Sequence, residues 1–302
     1  MNTYPLVSSV PWQRFAAGDV LQALDDAEAQ LPHLAGPHSD LFFPAAVQAG
    51  RLAAVGYFLG AINSARAERC CERLHAAAME SSIPLQLAVA HDVSALSAYY
   101  QVMTSGSTDF SAVSHQLAIA SSLMPNERPE RGEVLFHLGL VAERKERLPE
   151  AVDHFRLALR HAQSHALPLL ESYAIRHLGF EERRLGHLDA AKHAFEASLA
   201  IRLALRAKPY LPLSYTVLAD LLLEVAEPLE AYRQASRALE LAHGMRLPTT
   251  EVFANLSCYR CAVALRRRND AERHLAAASQ VAQTLGYDRW LRLVEQAAQV
   301  GA

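Results

Sequence analysis

The sequence predicts an all-α protein, and three observations support that prediction. The chain is rich in Ala, Leu, Arg, Glu and Gln, whose side chains lose little freedom on a helix. No stretch shows the polar and apolar alternation of a half-buried strand, and no Asn-Gly or Asp-Gly hairpin turn occurs. A repeated pattern of small and large residues also runs through most of the chain, as expected for stacked helical units.

The repeat is clearest from residue 132 onward, where it has a 40-residue period. Equivalent positions in the first two units are Leu138-Gly139 and Leu178-Gly179, Ala151 and Ala191, and Phe155 and Phe195. Two further steps of the same length reach Leu218-Ala219 with Ala231 and Ala235, and Cys258-Tyr259 with Ala271 and Leu275. Such units cannot bury their apolar faces alone, so the pattern predicts an array of stacked units.

Each unit is predicted to contain two helices joined by a tight turn. The small residue at Gly139, Gly179 and Ala219 lets the two helices approach closely. Ala and Phe at positions i and i+4 lie on one face of the second helix. Pro168 and Pro248 are placed to start first helices, because proline at the first helical position lacks only an unneeded N–H.

A Leu-Gly pair followed by Ala-x-x-x-Phe and a further small residue resembles the tetratricopeptide repeat family over residues 132–286, and more weakly over 84–125. The resemblance implies a right-handed superhelix, an α-solenoid of antiparallel helix pairs. The 40-residue period exceeds the family's usual length of about 34, and the family's Trp, Tyr and terminal Pro are mostly absent. Longer units of this kind are similar to the sensor arrays of bacterial regulators, such as relatives of the maltose-operon activator and peptide-sensing response-regulator phosphatases. In those families the array binds a sugar, a peptide or another protein.

Three regions follow from the pattern. Residues 1–83 form an N-terminal helical region with degenerate repeats, residues 84–286 form the repeat array, and residues 287–302 form a C-terminal capping helix. The clearest units are predicted at 132–171, 172–211, 212–251 and 252–286. The apolar side chains of Trp290 and its neighbours suit a cap, and those of Trp12 and Phe15 suit the same role at the other end. Array ends expose apolar faces unless they are capped, so homodimerisation through either end stays open.

Composition narrows the function classes. The 302 residues are 51% hydrophobic and carry a formal net charge of -3, with 29 Lys and Arg against 32 Asp and Glu. This balance argues against a nucleic-acid partner. The longest apolar run, 52–62, is shorter than the roughly 20 residues that cross a bilayer. Without a positive residue before Arg14 or a disulfide framework among four cysteines, we expect a cytoplasmic protein.

In the resembled family, first helices line the concave face of the superhelix. The repeat phase then predicts two inward lines and several flanking positions: Leu96, Phe136, Arg176, Thr216 and Leu256; Tyr100, Leu140, Phe180, Asp220 and Arg260; and Tyr173, Phe253, His137, His177, Glu143 and Arg183. Arginine offers a planar fork that matches carboxylate or phosphate, with aromatic area beside it. We therefore expect a non-catalytic binding module without a cofactor. Its groove would hold a peptide, a protein segment or a small anionic effector through Phe136, His137, Arg176, Phe180, Arg183, Asp220 and Arg260.

A structural explanation of the same residues stays open. Arg176, Asp220 and Arg260 fall on successive first helices, where they would also neutralise one another as an ion-pair ladder. Phe136 and Phe180 would then be ordinary packing between helices. Under this explanation the groove residues stabilise the fold and hold no ligand.

Two other functions also stay open. In an enzyme, a pocket of His137, Arg176, Asp220 and either Tyr100 or Tyr173 would perform acid/base chemistry on a small acidic substrate inside the superhelix. The sequence has no glycine-rich phosphate loop, serine-nucleophile elbow or kinase signature that requires this. In a scaffold protein, the outer face would assemble partners instead.

The cysteines are predicted to fill the core rather than to bind a metal. Cys258 and Cys261 form a CxxC motif, but Cys258 falls at the core position occupied by Leu138, Leu178 and Leu218. Free cysteine behaves as a small buried hydrophobe. Cys70-Cys71 is far away in sequence, so no metal site is expected.

Overall fold

The computed structural model describes residues 9–33 and 41–301, and this part of the chain is all-α, as the sequence predicts. Its helices, named α1 to α15 in chain order, are Val10–Ala17, Val20–Gln30, Phe42–Phe58, Ser64–Ser81, Pro84–Ser105, Ser111–Leu123, Arg131–Arg144, Leu148–Ser164, Pro168–Arg184, Leu188–Ala204, Leu211–Glu224, Pro228–Gly244, Pro248–Ala264, Arg268–Leu285 and Asp288–Gly301. Short 3-10 helices, Leu31–His33 and Lys208–Tyr210, follow α2 and precede α11. Positions 1–8, 34–40 and 302 of the predicted terminal regions lie outside the described residues.

Helices α5 to α14 pack as antiparallel neighbours in chain order, which confirms the predicted superhelix of helix pairs. The first helix of each pair, which we call an inner helix, is α5, α7, α9, α11 or α13. Its partner packs outside it. α9 and α13 begin at Pro168 and Pro248, as predicted.

The seams between paired helices are filled by one residue from each helix of the pair. A Cβ added to Gly139 would lie 2.5 Å from the ring of Phe155, and one added to Gly179 would lie 2.8 Å from that of Phe195. In the next unit Ala219 packs in one buried cluster with Ala235. A glycine therefore faces a phenylalanine in the first two units, and two alanines meet in the third.

The helices from α7 to α14 end in the same way, at 20-residue intervals. The backbone adopts positive φ at Glu146, Ala166, Gly186, Arg206, Ala226, Arg246, Arg266 and Gly286. The following N–H bonds back to a carbonyl in the last turn of the helix, as from Arg147 to Ala142 at 2.9 Å. This left-handed ending satisfies carbonyls that the last helical turn leaves free. The true structural unit is thus a single helix with its turn, which is half of the repeat seen in the sequence.

The predicted unit boundaries at 172 and 252 fall inside helices, since α9 and α13 begin one turn earlier, at Pro168 and Pro248. The boundary at 212 lies just inside α11, which begins at Leu211. The phase was set by Leu-Gly and Ala-Phe pairs in the middle of helices. Those pairs fix the spacing of units but not their first residue.

The superhelix curls until its two ends meet. The Thr249 N–H donates to the Leu59 carbonyl at 3.2 Å, and the Tyr287 hydroxyl donates to the Tyr57 carbonyl at 3.0 Å. Helix α1 also reaches the middle of the array, where the ring of Phe15 lies 5.4 Å from that of Tyr210. α15 packs on α13 and α14 and also contacts α5. The helices thereby close a ring around a central cavity. Within 9–33 and 41–301, no helix has the length and apolar content to cross a bilayer.

Candidate functional site

The central cavity has a volume of about 500 Å³ and is lined mainly by the inner helices. All residues of the two predicted inward lines face it: Leu96, Tyr100, Phe136, Leu140, Arg176, Phe180, Thr216, Asp220, Leu256 and Arg260. Among the predicted flanking residues, Tyr173, Phe253, His137 and His177 line it as well. The repeat phase therefore identified which face of each inner helix points inward.

Two flanking residues lie elsewhere. Arg183 lies in the last turn of α9 and pairs with Glu224 at the end of α11. Nε of Arg183 donates to Oε2 of Glu224 at 2.9 Å. Glu143 accepts from Arg184 at 2.6 Å and bonds to His177 at 3.1 Å, outside the cavity lining. Arg183 is thus a surface ion-pair residue, contrary to its predicted place in the groove.

The lining is strongly cationic, although the whole chain carries a net charge of -3. Six arginines face the cavity, namely Arg51, Arg144, Arg176, Arg202, Arg260 and Arg289. Only three carboxylates do so, namely Asp92, Glu133 and Asp220. The cavity therefore concentrates positive charge that the composition of the whole chain conceals.

Each of the three lining carboxylates already has a partner. Asp220 accepts from Arg260 at 2.6 Å and from the Ser257 hydroxyl at 2.8 Å. Glu133 forms an ion pair with Arg51. Asp92 bonds to Nδ1 of His137 at 2.7 Å. None of these three carboxylates pairs with the other lining arginines, which are Arg144, Arg176, Arg202 and Arg289.

Arg202 is the most enclosed of them, with only 1% of its surface exposed. Its guanidinium donates to the hydroxyls of Ser172 and Ser214 at 3.2 and 2.8 Å and packs over the rings of Tyr173 and Tyr210. Its Nη2 has no hydrogen-bond partner. Burial, with the charge of Arg176, lowers the pKa of Arg202 to about 9, so the group remains cationic at neutral pH.

Arg176 lies beside it, on the inner face of α9. Its guanidinium carbon is 5.5 Å from the centre of the Phe180 ring, and its Nε is buried without a partner. Burial lowers the pKa of Arg176 as well. Among the described residues, no carboxylate forms a hydrogen bond or ion pair with Arg176 or Arg202. The predicted ion-pair ladder therefore contains Asp220 and Arg260 but leaves Arg176 outside it.

Three tyrosines, Tyr100, Tyr173 and Tyr210, complete the surroundings of these two arginines. Burial is the main cause that raises the pKa of each phenol, so all three are neutral at physiological pH. Their hydroxyls do not supply the missing negative charge. They are hydrogen-bond donors beside an electropositive pocket.

His137 and His177 are equivalent in the repeat but differ in protonation. Burial lowers the pKa of His137, but the charge and hydrogen bond of Asp92 outweigh it and the net pKa is raised. For His177 burial prevails over Glu143 and lowers the pKa to about 4. Neutral His177 therefore donates from Nδ1 to an ionised Glu143, whereas the contact with Asp92 favours the protonated form of His137. Asp220, the partner predicted for His137 in an enzyme, is instead bound to Arg260.

Arg202 was missed because it lies on a second helix, α10, rather than on an inner one. The sequence nevertheless marks it. Its equivalents in three other units are Ala162, Ala242 and Ala282, all fully buried. An arginine at a position where those units bury alanine costs folding free energy unless it has a function or a partner.

The cysteines take no part in this site. All four are buried and free, and burial raises the pKa of Cys261 to about 11 and that of Cys258 to about 12. The described residues contain no group of three or more His, Cys, Asp or Glu side chains placed to hold a metal ion.

Comparison with known proteins identifies the fold. No family profile matches the chain, and no curated protein matches it by sequence. A Rap protein complexed with competence and sporulation factor is similar in structure, with a TM-score of 0.68 and 12% identity over 94% of this chain and 78% of that one. Aspartyl phosphate phosphatase F from Bacillus subtilis gives a TM-score of 0.54 and 13% identity over 92% and 74%.

A third structure is a STAND signal-transduction ATPase with a tetratricopeptide repeat sensor from Pyrococcus horikoshii. It gives a TM-score of 0.50 and 14% identity over 97% of this chain but only 44% of that one. These similarities confirm the tetratricopeptide-type repeat fold.

Proposed function

We propose that this protein is a non-catalytic, regulatory binding module whose central cavity holds a small anionic ligand, either a short peptide or an organic effector. The observation that carries the proposal is the pair Arg176 and Arg202, which line the cavity without a carboxylate partner among the described residues. An anionic group placed between them would receive charge-assisted hydrogen bonds from both guanidinium groups.

The energetics favour a ligand over a purely structural role. A buried cation without a counterion is costly, because it loses hydration and gains no opposite charge. Stacking on tyrosine rings offsets part of this cost. A carboxylate or phosphate would offset the rest through paired N–H···O bonds, which are stronger than those to neutral acceptors. Unpaired arginines are therefore expected where binding energy is reserved for a ligand.

The size and chemistry of the cavity fit a small molecule. Its volume of about 500 Å³ lies within the range of roughly 300–1,000 Å³ of small-molecule sites. Its walls combine aromatic and aliphatic side chains with a few polar groups, as such sites do. A Rap protein of similar fold is complexed with competence and sporulation factor, which supports a binding role for this fold.

Tryptophan fluorescence would test the proposal directly, because both tryptophans of the chain, Trp12 and Trp290, line the cavity. Short-chain carboxylic acids, inorganic phosphate and short acidic peptides would serve as probes. We expect at least one to change the emission saturably, and Arg176→Gln to weaken its binding at least about tenfold.

The matched control is Arg183→Gln, which makes the same charge change on the same helix but outside the cavity. It should bind the probe as the parent protein does. If none of the probes changes the emission, or if both variants weaken binding equally, the proposed function is wrong. Native mass spectrometry of gently purified protein would show any ligand that co-purifies.

The dyad of His137 and Asp92 is the one observation that favours an enzyme instead. A carboxylate that orients a histidine in a cavity is the arrangement of a general base. Here turnover of a small acidic substrate, lost in His137→Gln and retained in Arg183→Gln, would replace the binding function with a catalytic one.

A further inference from the structure

We propose that the ligand carries two anionic groups, one bound by Arg176 and Arg202 and the second by Arg144 and Arg289 at the opposite end of the cavity. This inference rests on the proposed function, whose anchor is the first pair. It adds a second subsite and therefore a chemical class: a molecule with two carboxylates or phosphates joined by an apolar spacer.

The second pair lies at the end of the cavity that is open to solvent. Arg144 ends α7 and is exposed, whereas Arg202 at the other end is only 1% exposed. Arg289, in the first turn of α15, is half-buried. Both line the cavity. The two pairs therefore mark a deep end and a mouth.

Neither mouth arginine is engaged by a carboxylate. Nε of Arg144 donates to the Tyr99 hydroxyl at 3.1 Å, and Nη1 of Arg289 reaches the Met103 sulfur at 3.7 Å. Glu143 adjoins Arg144 in sequence and its charge raises the pKa of Arg144, but its hydrogen bonds go to Arg184 and His177. Among the described residues, no acidic side chain pairs with Arg144 or Arg289.

Other positive charges surround Arg289. Arg289 and Arg144 lie close enough that each other's charge matters, since burial and then the charge of Arg144 lower the pKa of Arg289. Arg292 adds a third positive charge one turn along α15. The buried Tyr99 hydroxyl between the arginines supplies no negative charge, because burial raises its pKa. The mouth therefore holds three guanidinium groups, and the Glu143 carboxylate acts on one of them, Arg144, whose pKa it helps to raise.

The repeat gives the spacing of the two subsites. Arg144 is equivalent to Arg184, which lies two helical turns after Arg176 on α9. At a rise of about 1.5 Å per residue, the two levels are about 12 Å apart along the helix axes. The wall between them is formed by apolar side chains, including Phe136, Leu140 and Leu256. A spacer of several methylene groups or an aromatic core fits this wall, whereas a compact dianion reaches only one subsite.

Two sources could supply such a molecule, namely an organic diacid and a short peptide with an acidic N-terminal residue and a free C-terminal carboxylate. The first arm of the test titrates α,ω-dicarboxylic acids from hexanedioic to tetradecanedioic acid. Each is compared with the monocarboxylic acid of equal length, using tryptophan emission and calorimetry. The second arm titrates peptides with an N-terminal glutamate and an apolar middle, against the same peptides with a C-terminal amide.

We expect the doubly charged probe of matching length to bind at least about tenfold more tightly than its singly charged partner. Arg144→Gln combined with Arg289→Gln should remove this advantage, so that the doubly charged probe binds no more tightly than the singly charged one. Arg292→Gln, which removes a neighbouring charge that does not line the cavity, should preserve the advantage. Circular dichroism and melting temperatures would verify that all variants fold.

The results separate the two proposals. Equal affinity for singly and doubly charged probes at every length, or equal loss in Arg292→Gln and in the double variant, would overturn the second subsite while the proposed function stands. Binding of no anion at all would overturn both. An advantage confined to the diacids or to the peptides supports the subsite and identifies the source.

Discussion

The seams between helices and the wall of the cavity are built from the same 40-residue repeat, yet equivalent positions behave differently in the two places. In the seams each residue is matched by its neighbours: Phe155 packs on Gly139, whereas Ala219 and Ala235 share a buried cluster with Cys258 of the next inner helix. On the cavity wall, the same repeat position is occupied in four successive units by Phe136, Arg176, Thr216 and Leu256. These residues differ widely in size and charge. Packing constrains the seams, whereas the wall has diversified in charge and size.

The difference separates two uses of arginine. Arg260 pairs with Asp220 across adjacent inner helices and is explained by the fold. Arg176 and Arg202 have no such partner among the described residues and are explained by a ligand. An arginine on the cavity wall therefore indicates a ligand only where the fold supplies no counterion for it.

The largest expected effect concerns the seam. Phe155→Ala should lower the free energy of unfolding by about 3–5 kcal/mol, because it empties a fully buried site. Gly139→Ala should also destabilise the parent protein, since its Cβ would lie 2.5 Å from the Phe155 ring. In the Phe155→Ala background the same Gly139→Ala change should stabilise by about 1 kcal/mol, because it fills space and favours the helix. Urea denaturation of the four proteins measures this reversal, and additive effects would contradict the seam description.

The next effect concerns the wall. Arg176→Met should raise the free energy of unfolding of the ligand-free protein by about 1–2 kcal/mol, because it replaces an unpaired cation with an apolar side chain of similar length. Differential scanning calorimetry at low salt would measure the change. Arg260→Met should do the opposite, since it leaves Asp220 without its cationic partner. A loss of stability in Arg176→Met would indicate a counterion for this arginine within the fold.

The two equivalent histidines should titrate on opposite sides of pH 6.5, the ordinary value for histidine. His177, with a pKa of about 4, should cost stability as the pH falls from 6.5 towards 4, because the unfolded chain binds the proton first. His137, whose pKa is raised, should stabilise fully below 6.5 and lose this contribution as the pH rises through its folded value. NMR titration of the ring protons would test both, and coincident titrations would contradict the assigned environments.

The smallest effect concerns the helix ends. Ala226 is exposed and adopts φ of 61°, a conformation that penalises a side chain. Ala226→Gly should stabilise by about 0.5–1 kcal/mol, since Gly186 already occupies the equivalent turn of the preceding unit. Gly186→Ala should cost a similar amount. Thermal denaturation of both variants would measure these changes, and effects of the same sign would contradict the argument.

The sequence predicted the inward face well because the repeat carries register: once Gly139 and Gly179 fix the phase, every inner helix presents equivalent positions to the axis. It could not reveal that each half of the repeat ends in the same turn, because Glu146, Ala166 and most other turn residues adopt the left-handed conformation without being glycine. The sequence also did not predict that the helices close into a ring. The contact between Leu59 and Thr249 joins residues far apart in sequence, and periodicity does not encode how far a superhelix turns.

The central claim is that Arg176 and Arg202 hold an anionic ligand, and a crystal structure with a bound dicarboxylic acid tests it most directly. The account predicts a carboxylate oxygen within about 3 Å of Nη2 of Arg202 and of Nε of Arg176. A cavity filled only by water at saturating diacid, or a protein carboxylate bonded to either guanidinium, would contradict it.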